Sequence, residues 1–487
     1  MDTWSLVYNG ESRIIKNAAK LLCTRLSNLT GNPVGLIPET DAEKELFENR
    51  SVIVIGTADS AAVAECEKFK LVDIPSEDEG YSVYVGKSVF NGDRRLISIA
   101  GRDEHGVLYG CADLLNDYCG NVLYKGCDIW REDIFDAPFS RPLPEWRISR
   151  FPAVKTRAVW TWGHVIYDYR RFFENMAIIR LNEIVIWNDH APKNAREIVD
   201  FAHSFGIKVV WGFAWGWSTS CREDFLNLGS DGIGRLKNEI IGRFENEYSN
   251  ICGDGIYFQS FTEFGTDKET GKAVAEKVTE LVNSAAGELL SRYPGLHIQF
   301  GLHATSVKEH LDIISKVDPR IYIVWEDCGA FPFNYDPYAV SGFDNTLAFT
   351  GKLLTLRGSG ERFGAVLKGM LKLDWTRFSS IKESIVIGER DAEFIKERQK
   401  KKDRIWKIVQ AGWLKNAEYA RRTISLIAGT AKEPIIEALI EDAMLENKIT
   451  FPAALYAELL WTPDDDTEGI KARVAGYPSV CFANNEI

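Results

Sequence analysis

Four carboxylates in this chain stand at or near the ends of short apolar runs. Glu263 closes GIYFQSFTE (255–263), Glu326 and Asp327 end RIYIVWEDC (320–328), and Asp374 falls late in GAVLKGMLKLDW (364–375). An acid at the end of a buried run is packed against apolar neighbours at its base, and burial raises a carboxyl pKa toward the range useful for donating a proton. Splitting a glycosidic linkage asks for such an acid at the leaving oxygen, plus a carboxylate that activates water or attacks carbon. Glu263 is the first candidate for the acid; the plainer alternatives are a helix N-cap or a partner for an arginine. Side chains alternate along a strand, so only one of Glu326 and Asp327 points inward. Glu326 is favoured, as base, nucleophile or ligand to a substrate hydroxyl, and Asp374 competes for the same role.

The same segments are rich in flat rings and amides. Eight of the fourteen tryptophans stand at or near predicted strand ends: Trp160, Trp162, Trp187, Trp211, Trp215, Trp217, Trp325 and Trp375. Rings interspersed with carboxylates suit a sugar, which stacks its C–H face and hydrogen-bonds through its hydroxyls. Core packing is the alternative for Trp187, Trp211 and Trp325, which lie inside apolar runs. Trp160 and Trp162 are spaced by two, as are Trp215 and Trp217, so each pair shares one strand face. Asn188 and Asp189 end another run with His190, and His164 and His303 also fall at strand ends. All are candidate substrate contacts, although Asp189 could instead cap the following helix. His164, His190 and His303 around one mouth would suit a metal-dependent hydrolase or isomerase. No HxH or HExxH pair accompanies them, so no metal is expected. No organic cofactor is expected either, and there is no Walker loop, GxSxG elbow or dinucleotide-binding glycine loop.

These residues need a frame that gathers strand ends at one place. Residues 1–140 read as a small α/β domain, with an amphipathic helix over 14–31 and strands over 51–58, 79–87 and 94–103. A proline-rich stretch, 136–154, reads as a linker. Over 150–390 the chain repeats an apolar run, a turn and a helix. Its eight runs are 154–162, 183–189, 208–216, 255–263, 297–305, 320–328, 364–375 and 383–390. That pattern predicts a (β/α)8 barrel of TIM type, whose strand C-termini all open into one cleft. Residues 391–487, including IIEALIEDAMLENKI (435–449), read as a C-terminal helical region, the expected seat of any homodimer contact.

Composition narrows the partners. The net charge of −12 disfavours nucleic acid and anionic membranes, and the one basic run, KERQKKKDR (396–404), sits in a helical pattern as a solvated face. No apolar stretch reaches transmembrane length, the N-terminus has no signal-peptide pattern, and the nine cysteines form no close pairing motif. A cytoplasmic protein with reduced thiols and a carbohydrate partner is the expectation. A catalytically silent carbohydrate-binding barrel is the main alternative to an enzyme.

Two segments carry a family resemblance. IAGRDEHGVLYGCADLL (99–115) has a glycine, an arginine and a YG-containing helix in the order seen where the small α/β domain meets the barrel in β-N-acetylhexosaminidases and α-glucuronidases. RFPAVKTRAVWTW (150–162) resembles the linker and first strand of those barrels. The resemblance spans roughly residues 1–390 and implies an exo-acting glycoside hydrolase on a terminal uronic acid or hexosamine. It implies an acid at Glu263, basic carboxylates among Glu326, Asp327 and Asp374, and a substrate contact from Arg157. Where substrate-assisted hexosaminidases carry Asp–Glu after strand four, this chain has Thr262–Glu263, so the aspartate that orients an N-acetyl group is absent from that position.

Overall fold

The computed structural model describes residues 4–483 apart from 11, 32, 124–142, 163–164, 189, 214, 216–221, 260, 264–267, 327–339, 341, 359–360, 371–382, 441–442 and 447. The N-terminal sheet has six strands: β1 (Trp4–Tyr8), β2 (Val34–Pro38), β3 (Val52–Thr57), β4 (Tyr81–Lys87), β5 (Arg95–Gly101) and β6 (Trp146–Arg150). Their order is β2-β1-β3-β5-β4-β6, parallel except that β4 runs antiparallel to both β5 and β6. β6 falls in the proline-rich stretch expected to be a linker. The helix Arg13–Thr30 packs on this sheet and stops at Gly31, whose φ of 67° is a left-handed conformation that glycine adopts without strain.

The second unit is a closed, all-parallel barrel of eight strands. These are β7 (Thr156–Trp162), β8 (Glu183–Trp187), β9 (Lys208–Gly212), β10 (Gly255–Gln259), β11 (His297–Leu302), β12 (Tyr322–Trp325), β13 (Phe363–Met370) and β14 (Ile435–Ile440). The expected (β/α)8 architecture is therefore present, but its eighth strand is corrected. β14 pairs with β13 on one side and β7 on the other, so it closes the barrel. The segment 383–390 lies instead along the loop after β8, where Lys193 N–H donates to Ile385 O and Asn194 Nδ2 to Ile387 O (both 2.8 Å). The helix joining β13 to β14 is 39 residues long, Ala392–Thr430, and carries the basic run on its exposed side. Among the described residues no helix is long and apolar enough to cross a membrane.

The small domain is tied to the N-terminal end of the barrel by buried ions. Arg180, which follows the first barrel helix, pairs with Asp113 of the small domain (2.6 Å) and with Glu458 of the helix after β14. Arg150 reaches Asp113 (2.8 Å) and Asp117 (3.0 Å), while Arg473 holds Glu458 (2.9 Å). Arg157 belongs to this joint, which corrects its expected contact with substrate. It is fully buried at the start of β7, pairs with Glu79 of the small domain (2.7 Å), and donates to the carbonyls of Arg180, Val154 and Lys155. A side chain at the bottom of a barrel strand cannot reach a ligand at the strand's C-terminal end.

Candidate active site

Strand alternation decides which predicted residues meet. The inner face of the barrel carries Trp160 of β7, Trp187 of β8 and Tyr257 of β10, which pack edge-to-face or tilted with ring centroids 5.5–6.0 Å apart. Trp187 and Tyr257 share a level through Gly212 and Trp160 lies two residues lower in register, so the trio forms an aromatic floor of which Trp187 is 6% exposed and the others at most 1%. Trp215 and Trp325 do not belong to it, contrary to expectation. Both have zero exposure and face the helix layer, Trp215 stacked on Phe258 and Trp325 against Phe349. The parity of their positions turns them outward.

Above the floor, at the C-terminal strand ends, lies a polar cluster centred on Glu326. Tyr257 Oη donates to Glu326 Oε1 (2.5 Å) and Gln259 Nε2 to Oε2 (2.6 Å). His303 Nε2 lies 2.8 Å from the same Oε2, and Lys368 Nζ of β13 lies 4.0 Å from it. Gln259 Nε2 and His303 Nε2 are themselves 2.9 Å apart, since both converge on Oε2. Burial opposes charge on Glu326, but His303, Lys368 and the Tyr257 hydroxyl prevail and hold its pKa below the ordinary carboxyl value. Glu326 is thus an ionised anchor, inaccessible and with both oxygens engaged. A carboxylate so placed orients its neighbours; it has no free lone pair facing solvent with which to take a proton from water.

Gly301 of β11 makes this packing possible, since a Cβ there would collide with Glu326 Oε1 and Tyr257 Oη. Gly301→Ala is expected to displace the anchor, costing about 1–3 kcal/mol of stability as an overpacked core does. Urea unfolding of the variant measures this, and an unchanged midpoint would contradict it.

The Glu263 backbone is held beside this cluster. β10 runs into a single 3-10 turn, Phe261–Glu263. Phe261 stacks on Phe225 (centroids 3.9 Å, planes 15° apart), and the buried Thr262 Oγ1 accepts the His303 N–H (2.9 Å). Thr262 occupies the position expected to lack an aspartate, and its hydroxyl clamps the turn to the end of β11. The side chains of Glu263 and Trp162 lie outside the described residues, as do His164, Asp189, Trp217, Asp327, Asp374 and Trp375. Asn188 is buried, with Nδ2 donating to His190 O (2.7 Å), and His190 pairs with Glu247 (3.1 Å). Among the described residues no three His, Cys, Asp or Glu side chains gather as a metal site.

Tyr257, Gln259 and Lys368 are the residues that sequence reading passed over. Their signal is parity: Tyr257 and Gln259 are two apart on the strand that leads to Glu263, and Lys368 shares the face of Val366. The same parity places two more acids inside the barrel, Glu183 on β8 and Glu437 on β14, both buried. Gln299 Nε2 donates to Glu183 Oε1 (2.8 Å), whereas neither oxygen of Glu437 has a hydrogen-bond partner among the described residues. Burial pushes Glu183 up to about 7 against the pull of Lys208 and Gln299. Burial also drives Glu437 well above the usual range, with the charges of Glu183 and Glu326 adding to the shift. An unpaired acid of this kind is tolerated as the neutral form.

A stability consequence follows from the sign of these shifts. The folded state holds protons that the unfolded chain releases, so their stabilising effect is complete below the ordinary value of 4.5 and is lost as pH rises through about 7 for Glu183. Glu437→Gln, which cannot ionise, is expected to be more stable than wild type by about 1–3 kcal/mol at alkaline pH, with the gap closing toward acid. Urea unfolding at several pH values measures this; a constant gap would contradict it.

A (β/α)8 barrel with a small α/β domain docked at its N-terminal end and a polar, aromatic-floored mouth at the other defines the class. No protein-family model matches the chain, and no curated protein matches it. Among solved structures it is similar to a GH138 enzyme targeting pectin rhamnogalacturonan II (12% identity, TM-score 0.49, covering 95% of this chain and 51% of that one). It is also similar to a glycoside hydrolase family 20 β-N-acetylglucosaminidase (12%, TM-score 0.47, 96% and 90%) and to a β-N-acetylhexosaminidase (10%, TM-score 0.44, 83% and 88%). The chain spans about half the length of the GH138 enzyme. At these identities and TM-scores the similarity extends no further than chain path.

Proposed function

We propose that this protein is a glycoside hydrolase that removes a terminal sugar of uronic acid or hexosamine type at the C-terminal mouth of its barrel. The observation that carries this reading is the cluster around Glu326: a buried anion ringed by a phenol, an amide, an imidazole and an ammonium, directly above an aromatic floor. Such a cluster holds the strand ends in fixed geometry, and Trp187, the most exposed ring of the floor, is the one that can meet a sugar face.

Glu263, on the turn clamped by Thr262, is the proton donor to the glycosidic oxygen. The second carboxylate is Asp327 or Asp374, late in the apolar runs 320–328 and 364–375 of the sequence, acting on water or on the anomeric carbon. Glu326 positions Tyr257, Gln259 and His303 for them. Asp189, His164 and the tryptophans Trp162, Trp217 and Trp375, which end or follow the apolar runs of the sequence, are proposed to supply substrate contacts. Preorganised groups of this kind accelerate a reaction by being in place before charge develops.

The test is hydrolysis of a panel of nitrophenyl glycosides that includes N-acetylhexosaminides and uronides. Turnover of one of them establishes the activity and identifies the sugar. Saturable sugar binding with no turnover across the panel would overturn the enzyme reading in favour of a carbohydrate-binding barrel.

A further inference from the structure

Away from the barrel mouth, the joint between the two units holds a partly open cavity of about 240 Å³. Arg25 and Leu29 of the helix Arg13–Thr30 form one wall, Leu115 and Asn116 a second, and Ile178 of the first barrel helix with Pro478 of the C-terminal segment the remainder. Asn116 is already committed: its Nδ2 donates to Ile178 O (2.9 Å) and its Oδ1 accepts Ser479 Oγ (2.5 Å). Those bonds stitch three parts of the chain around the cavity and leave Arg25 as its charged group.

Arg25 is short of partners. Its guanidinium carries five N–H donors, of which one bond is made among the described residues, from Nη2 to Asn175 Oδ1 (3.2 Å). Among the described residues no carboxylate comes within the 4.0 Å of an ion pair with it; Glu174 acts on it only from farther off. Burial lowers the Arg25 pKa, Glu174 offsets part of that, and Arg171 adds to it. A half-buried cation with no carboxylate at ion-pair distance among the described residues, facing a space walled by leucine, isoleucine and proline, is complementary to an amphipathic anion.

We infer that this cavity binds a small monocarboxylate with an apolar body, its carboxylate on the Arg25 fork and its chain against Leu29, Leu115 and Ile178. A ligand there touches the small domain, the barrel and the C-terminal segment at once. It therefore binds the assembled chain and not the unfolded one, and raises stability by mass action. The site is independent of the barrel mouth and of what the mouth does.

Thermal unfolding of the full chain with hexanoate tests this, with hexan-1-ol and hexylamine as neutral and cationic counterparts. Hexanoate is expected to raise Tm saturably by about 1–3 °C with an apparent Kd of about 0.1–1 mM, as suits a ligand of this size. The alcohol and the amine are expected to give no rise. Arg25→Gln and the cavity-filling Leu29→Trp are each expected to weaken the response at least tenfold. Absence of a rise with hexanoate, an equal rise with hexan-1-ol, or an undiminished rise in Arg25→Gln would overturn the proposal. Should Arg25→Gln fail to fold, an undiminished response in Leu29→Trp overturns it equally.

Discussion

Replacing Glu263 by glutamine is expected to lower kcat by about 10³-fold while leaving sugar affinity within about threefold of wild type, the size and pattern of a lost general acid. Glutamine keeps the shape of the side chain and its ability to hydrogen-bond, but has no proton to give to a leaving oxygen. The turn that carries it should be unaffected, because its fixing contacts come from Phe261 and Thr262. Kinetics at saturating substrate, paired with calorimetric sugar binding, separate the two quantities. Loss of binding in proportion to kcat would make Glu263 a sugar ligand instead.

The second large effect concerns the joint. Arg180→Met is expected to destabilise the protein by about 3–5 kcal/mol, because it removes the cation shared by two buried carboxylates and leaves Asp113 to Arg150 and Glu458 to Arg473 alone. Asp113 and Glu458 are both at most 1% exposed and both rely on Arg180. Burial works against Glu458, yet the surrounding arginines, Arg180 first, hold its pKa down to about 2. The stability this contributes is present above the ordinary value of 4.5 and is lost as pH falls toward about 2. Adding Asp113→Asn and Glu458→Gln to Arg180→Met is expected to restore much of the loss, since those carboxylate charges are gone. Urea midpoints of the single and triple variants measure this; equal midpoints would show that the arginine acts through packing alone.

What could be read from the sequence followed from periodicity. Runs such as EIVIW and KVVWG are β-branched, bounded by turns and separated by amphipathic helices, so seven barrel strands and the sheet strands β3, β4 and β5 were recognisable. β14 was not. IIEALI is six residues long with an acid in the middle, and the chain after it alternates in a way that also fits a helix. Only closure of the barrel makes it a strand, and closure is a tertiary constraint. ESIVIGER has stronger strand character but finds its partners on a loop. The tryptophans show the same limit: residue type marked all eight, but parity and register decide that Trp160 and Trp187 face the axis while Trp215 and Trp325 face the helices. Arg157 matched an expected cation by position along the strand, and burial against Glu79 gave it a structural task. Glu326 points into the barrel, and its engagement by Tyr257, Gln259 and His303, with Lys368 4.0 Å away, depends on β10, β11 and β13 converging.

The most direct test of the account is the leaving-group dependence of the Glu263→Gln defect. Aryl glycosides of the responsive sugar, with phenols of widely different acidity, would be hydrolysed by wild type and variant. If Glu263 protonates the departing oxygen, the defect in kcat/KM is predicted to be greatest for the least acidic phenol and to shrink at least about tenfold for dinitrophenol, which leaves without help. A defect of the same size for every leaving group would contradict Glu263 as the proton donor.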